Sequence, residues 1–178
     1  MNRRNFLLGT LASGLIMGSG AWTAIEPNSE PLSIDTALTK LDNLMVKNPI
    51  TTGDWNFYKI LIHCAQSVEY SMTGYPEHKS DLFKSTAGKA AFSLFSAKGK
   101  MTHPLNEAIP GAPVFSLEEN IALAFERFKK SLKDFQQYQG DLAPHFAYGP
   151  LSKPEYEAAH VMHFNNHLQE IQLSKPLA

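Results

Sequence analysis

Apolar residues in this chain recur at spacings of three and four, and no segment sustains an alternation of period two. That pattern confines the chain to helices packed on helices. Ile34, Leu38, Leu41 and Met45 form a first amphipathic stripe. A second helical segment runs from about Asp54 to Met72 with two adjacent seams, one of Phe57, Leu61, Cys64, Val68 and Met72, the other of Ile60, His63, Ser67 and Tyr70. Two seams predict a helix buried at the centre of the fold. A third pattern (Phe83, Ala87, Ala90 or Ala91, Leu94 or Phe95) runs to Gly99, and its small residues permit close packing. The clearest stripe is Ile121, Phe125, Phe128, Leu132 and Phe135, ending near Gly140, and a last helix extends from Ser152 to about Gln172.

The breaks between these segments have physical causes. Pro49 drives Asn48 out of the helical region, and Gly74-Tyr75-Pro76 closes the second helix. Residues 99–115 carry Pro104, Pro110, Gly111 and Pro113 and are expected to form a long loop, placed to cover a site. Ser116 with Glu119, and Ser152 with Glu155, have capping-box spacing, in which a hydroxyl and a carboxylate satisfy the free amides at a helix start. The expected fold is all-α, a bundle of about four main helices with one accessory helix.

With 178 residues, 43% of them hydrophobic, the chain is sized for one domain with a substantial core. A formal net charge of -1 supplies no field for nucleic acid or anionic lipid, and no nucleic-acid partner is expected. Arg3 and Arg4 precede an uncharged stretch from Phe6 to about Ala24, with small residues near Ala21 and Ala24. This resembles a twin-arginine export signal over residues 1–24, followed by a linker at 25–32 and a domain over 33–178. It implies the export machinery as a partner, a periplasmic or otherwise exported destination, and no stable membrane domain after cleavage. Cys64 is the only cysteine, so no intramolecular disulfide forms, and its place in an apolar stripe marks it as a buried thiol.

Of the seven histidines, His160, His163 and His167 fall within roughly 60° of one helical face. Spacings of three and four both bring imidazoles close enough to share a metal. The pattern alone leaves a satisfied core or surface pair as a full alternative, and a tight site needs a third ligand from another helix. His63 is the best placed, on a seam otherwise apolar or small. Glu170 continues the same stripe.

The segment Lys59-Ile-Leu-Ile-His63-Cys-Ala-Gln-Ser-Val-Glu69-Tyr, with His163-Phe-Asn-Asn-His167-Leu-Gln-Glu-Ile171, resembles the DinB/YfiT-like superfamily of metal-binding helical bundles. His145-Phe-Ala-Tyr-Gly149-Pro-Leu-Ser is similar to a branch of it known only as a domain of unknown function, and the likeness spans Leu32 to Leu173. It implies a DinB-like four-helix bundle with metal ligands at His63, His163 and His167, and leaves His160 beside them or on the surface. Members commonly carry His where Asn166 stands and Gln where Glu170 stands. Glu170 is thus placed to orient a ligand, join the metal or act as a base, or else is a solvated residue.

Three neutral imidazoles suit zinc first, with nickel, iron or copper admissible. Some relatives are thiol-dependent transferases. Export works against that cofactor, since small-thiol pools are mainly cytosolic, and leaves a metal-dependent hydrolase or a non-catalytic periplasmic metal- or small-ligand-binding protein. A haem-binding bundle with His and Met ligands is a weaker reading, since the Cys-x-x-Cys-His attachment motif is absent. His103 in the long loop, with His145 and Tyr148, is placed to line a pocket for a small-molecule substrate, and an exposed seam on the accessory helix offers a contact for a homodimer.

Overall fold

The computed structural model describes residues 30–47, 49–113 and 119–173. The expected export segment lies outside the described residues, as does most of the linker. Helix α1 (Ile34–Val46) starts at Ser33, whose hydroxyl accepts from the Thr36 amide. A short strand β1 (Pro49–Thr51) leads to α2 (Phe57–Thr73), capped by the Asn56 side chain. An accessory helical stretch follows, made of α3 (Asp81–Phe83), a π-turn (Lys84–Gly88) and α4 (Lys89–Lys98). Then come α5 (Ile121–Gln137), α6 (Lys153–His167), a 3₁₀ turn (Leu168–Glu170) and β2 (Ile171–Leu173). The protein is an all-α bundle, as the spacing predicts.

Helix α2 is the axis of that bundle. Every residue from Phe57 to Val68 except Lys59 is buried, because α5 lies along one side of the helix and α6 along another, with α1 packed on α5 and α6 in turn. Ile60, Leu61, Phe128, Leu132, Phe135, Tyr156 and Phe164 are all at most 1% exposed. Burial of each such side chain contributes about 1.5–3 kcal/mol, against at most about 1 kcal/mol for an exposed ion pair such as Lys129 with Asp42. Apolar contact therefore sets the positions of the helices. A smaller cluster of Phe92, Met101, Ala159 and Met162 fastens α4 and the loop after it to α6. Cys64 sits in the main core at 1% exposure, and burial raises its thiol pKa. It is the inert thiol expected.

Four details depart from the sequence reading. The last helix stops at His167 rather than near Gln172, and the chain continues as a 3₁₀ turn and a strand. That strand pairs antiparallel with β1, with Pro49 opposite Leu173 and Thr51 opposite Ile171. Three residues are too few for an alternating pattern to declare itself. The third segment is interrupted by the π-turn, where Gly88 meets the Ala147 backbone so closely that an added Cβ would overlap the carbonyl oxygen. Helix α5 begins after Asn120, whose side chain accepts from the Leu123 amide at 3.0 Å. The expected capping serine, Ser116, lies outside the described residues, and Glu119 instead accepts from the Asn56 side chain at 2.6 Å. The second capping box, Ser152 with Glu155, forms as read. Among the described residues no helix is long and apolar enough to cross a membrane.

Candidate metal centre and its cavity

His63 projects from the middle of α2, and His163 and His167 from the last two turns of α6. Packing α6 on α2 brings the three rings together. Nε2 of His163 lies 3.0 Å from Nε2 of His63 and 3.2 Å from Nε2 of His167. Among the described residues these three form the only set of metal-competent side chains whose donor atoms all lie within 4.8 Å of one another.

Hydrogen bonding alone does not satisfy this arrangement. A neutral imidazole carries one N–H. If His163 Nε2 bears it, the hydrogen can point at one neighbour only; if it is bare, one lone pair must serve two donors. In either case Nδ1 of His63 and Nδ1 of His167 are buried without a partner. Each such atom costs about 1–3 kcal/mol. Protonation is no remedy, because burial, with His167 and His103 beside it, pushes His63 down to about 3. Burial and His103 bring His167 to about 3 as well, and burial followed by the surrounding imidazoles holds His163 well below the ordinary range. Three neutral rings converging Nε2 atoms on one point are the donor set a divalent cation takes.

The surroundings hold the rings in place. Trp55, in the loop before α2, stands edge-on to His63 at 5.0 Å between centroids and stacks on His167 at 6.0 Å. The sequence reading missed it, because a lone aromatic in a loop has no period. His103 lies 4.9 Å from His163 and 5.5 Å from His167 by ring centroids, with Nδ1 bonded to the Pro104 carbonyl at 2.7 Å. Asn166 donates to the His103 carbonyl at 3.3 Å and so ties the loop to α6.

His160 is buried rather than superficial. It stacks on Tyr156, meets Phe135 edge-on and contacts Ser71 Oγ at 3.2 Å. Glu170 does not continue the histidine stripe, because the 3₁₀ turn removes it from the helical register. Its carboxylate sits over Gly53, where a Cβ would overlap it, and Oε2 is buried without a partner. Glu170 is thus half-buried, and its carboxylate is not among the converging donor atoms.

A cavity of about 300 Å³ opens beside the three histidines. His63, His163 and His103 stand at its wall, and the Pro-containing loop contributes Met101 and Ile109. His145 and Tyr148 line it too, as the sequence suggests. They belong to a tight hairpin in which His145 and Gly149 exchange both backbone bonds, at 2.8 and 3.1 Å, with Gly149 at φ 78°.

The model of a family described as a protein of unknown function (DUF1569) matches residues 30–174. No curated protein and no solved structure matches the chain.

Proposed function

From its place in the DUF1569 family, to which the chain belongs, we propose that this protein is a DinB-like metal-binding protein whose His63, His163 and His167 hold one divalent ion. The observation that carries this reading is the meeting of three Nε2 atoms, at 3.0 and 3.2 Å, that hydrogens alone leave frustrated. The superfamily reading is supported by the placement of one ligand on the second main helix and two, four residues apart, on the last. Zinc is the first candidate, with nickel, iron or copper admitted by the same donors.

The reaction class proposed is metal-dependent hydrolysis of a small molecule. A bound ion held by three neutral donors supplies Lewis acidity undiminished by ligand charge. The chain's own groups do the rest: Trp55 fixes two ring planes, Asn166 keeps the His103 loop closed over α6, and the cavity wall beside His63 and His163 admits a ligand while limiting water. The thiol-dependent transfer of some relatives is the weaker reading if the chain is exported, which the twin-arginine-like Arg3-Arg4 segment supports. A non-catalytic carrier is the alternative, favoured by the fact that, among the described residues, no carboxylate joins the three converging imidazoles. A turnover screen on the loaded protein separates the two.

Metal analysis of purified, reconstituted protein tests the binding reading. One ion per wild-type chain is expected, with less than a tenth of that in His163→Ala and His167→Ala. A wild type without stoichiometric metal ends the proposal.

A further inference from the structure

The cavity lining carries a hydrogen-bond donor that the three-histidine reading does not use. His145 is 8% exposed, and its Nδ1 accepts from two backbone amides, Ala147 at 3.1 Å and Tyr148 at 3.2 Å. Two donors on one nitrogen fix the tautomer: the ring hydrogen must sit on Nε2. No described residue is hydrogen-bonded to that nitrogen, it is not among the buried polar atoms sealed from solvent, and its ring lines the cavity. The ring cannot turn away from this pose. It is stacked on Tyr148 at 4.3 Å and 8°, and its hairpin is closed by two backbone bonds and pressed on Gly88.

His160, which also lines the cavity, has its own tautomer set. Ser71 Oγ donates to the Val68 carbonyl at 2.6 Å, so its contact with His160 Nε2 is one in which the imidazole donates. Accepting on Nδ1 makes His145 neutral and burial pushes His160 down to about 3, so both rings are neutral polar groups, and the apolar Ile109, Phe146 and Ala159 line the same cavity. The charged side chains at the rim, Lys79 and Glu107, are opposite in sign and exposed. No buried charge among these lining groups offsets a net charge on a ligand, whereas an acceptor atom would complete the His145 donor, with the Ser67 hydroxyl a second buried polar group lining the same cavity. A buried donor of this kind favours ligands with a matching acceptor over those without one.

We propose that His145 Nε2–H anchors an uncharged small molecule with an apolar body and a carbonyl-type acceptor, in a subsite of this cavity that requires no metal. This goes beyond the three-histidine reading and stands without it. The probes that test it are benzamide, toluene and benzoate, which share one ring and differ in carrying a neutral acceptor, no acceptor or a charge. Each is titrated into the full-length protein after removal of metal, followed by 1H–15N correlation of the imidazoles.

Benzamide is expected to bind about five- to tenfold more tightly than toluene, the worth of one buried hydrogen bond, and more tightly than benzoate, and to shift the His145 Nε2–H resonance. In His145→Asn, whose Oδ1 can still accept from the Ala147 and Tyr148 amides, benzamide binding is expected to fall to the level of toluene with the thermal transition retained. Equal binding of benzamide and toluene, tighter binding of benzoate, no binding at all, or undiminished benzamide binding in His145→Asn overturns the proposal. If that variant does not fold, the wild-type resonance decides: an unmoved His145 Nε2–H at saturating benzamide overturns it. Metal content is measured separately, so failure here leaves the metal reading intact, and the converse also holds.

Discussion

At Gly88 a single methyl group would be felt across two elements. Its Cβ would overlap the Ala147 carbonyl oxygen, and that oxygen belongs to the backbone of a closed hairpin that cannot give way cheaply. Gly88→Ala is expected to lower stability by about 1–3 kcal/mol, the usual range for overpacking, read as a fall in the urea midpoint at unchanged slope. It should also loosen His145 while leaving metal content near that of the wild type, since His63, His163 and His167 lie on α2 and α6. Such roles differ in how far they show in a bare sequence. Helical spacing made His160, His163 and His167 candidates and an otherwise apolar seam added His63, but it was the resemblance that preferred His63, His163 and His167. Gly88 and Trp55 were not, since their roles depend on what distant segments bring against them. Glu170 was misread because the periodic pattern carried on past the point where the helix stops.

The elements show the same division. Long stripes such as Ile121 to Phe135 declared their helices plainly, and the 3.6-residue repeat needs no knowledge of neighbours. Boundaries were harder. The start of α5 was expected at the Ser116 capping box; the helix begins after Asn120, whose side chain accepts from the Leu123 amide and lies beside the Asn56–Glu119 bond that joins the starts of α5 and α2. Asn120→Ala is expected to cost about 1 kcal/mol, measured by chemical denaturation, with a smaller loss for Asn120→Ser. The π-turn and the three-residue strands were not legible, because both arise from tertiary contact: one where Gly88 meets Ala147, the other where the chain after α6 meets the chain after α1.

Across the whole molecule, buried neutral imidazoles set the response to acid. Burial pushes His160 down to about 3, and burial with His160 and His78 nearby does the same to His145. In the unfolded chain both titrate near 6.5. Below that pH the unfolded state takes up protons that the folded state refuses, so their contribution is complete above pH 6.5 and is lost as pH falls toward 3. Stability of the metal-free protein is expected to drop between those limits by about 1.4 kcal/mol per pH unit for each histidine, visible as a falling urea midpoint from pH 7 to pH 4. Export is a separate matter at this scale. Arg3→Lys with Arg4→Lys is expected to retain the protein in the cytoplasm, as read by cell fractionation, if the twin-arginine route is used.

One feature of the three-histidine site bears on when, rather than where, a metal arrives. His63 and His163 are a hundred residues apart, and the third ligand follows on the same late helix. If the three histidines hold an ion, a nascent chain that has reached only α2 offers a single ligand, and capture would wait until α6 has been made and has docked. A translocation route that carries proteins already folded would then send out a loaded molecule. The identity of its ion would be decided by the metal supply of the compartment of synthesis, and a protein working outside the cell's interior would carry a record of what was available within it.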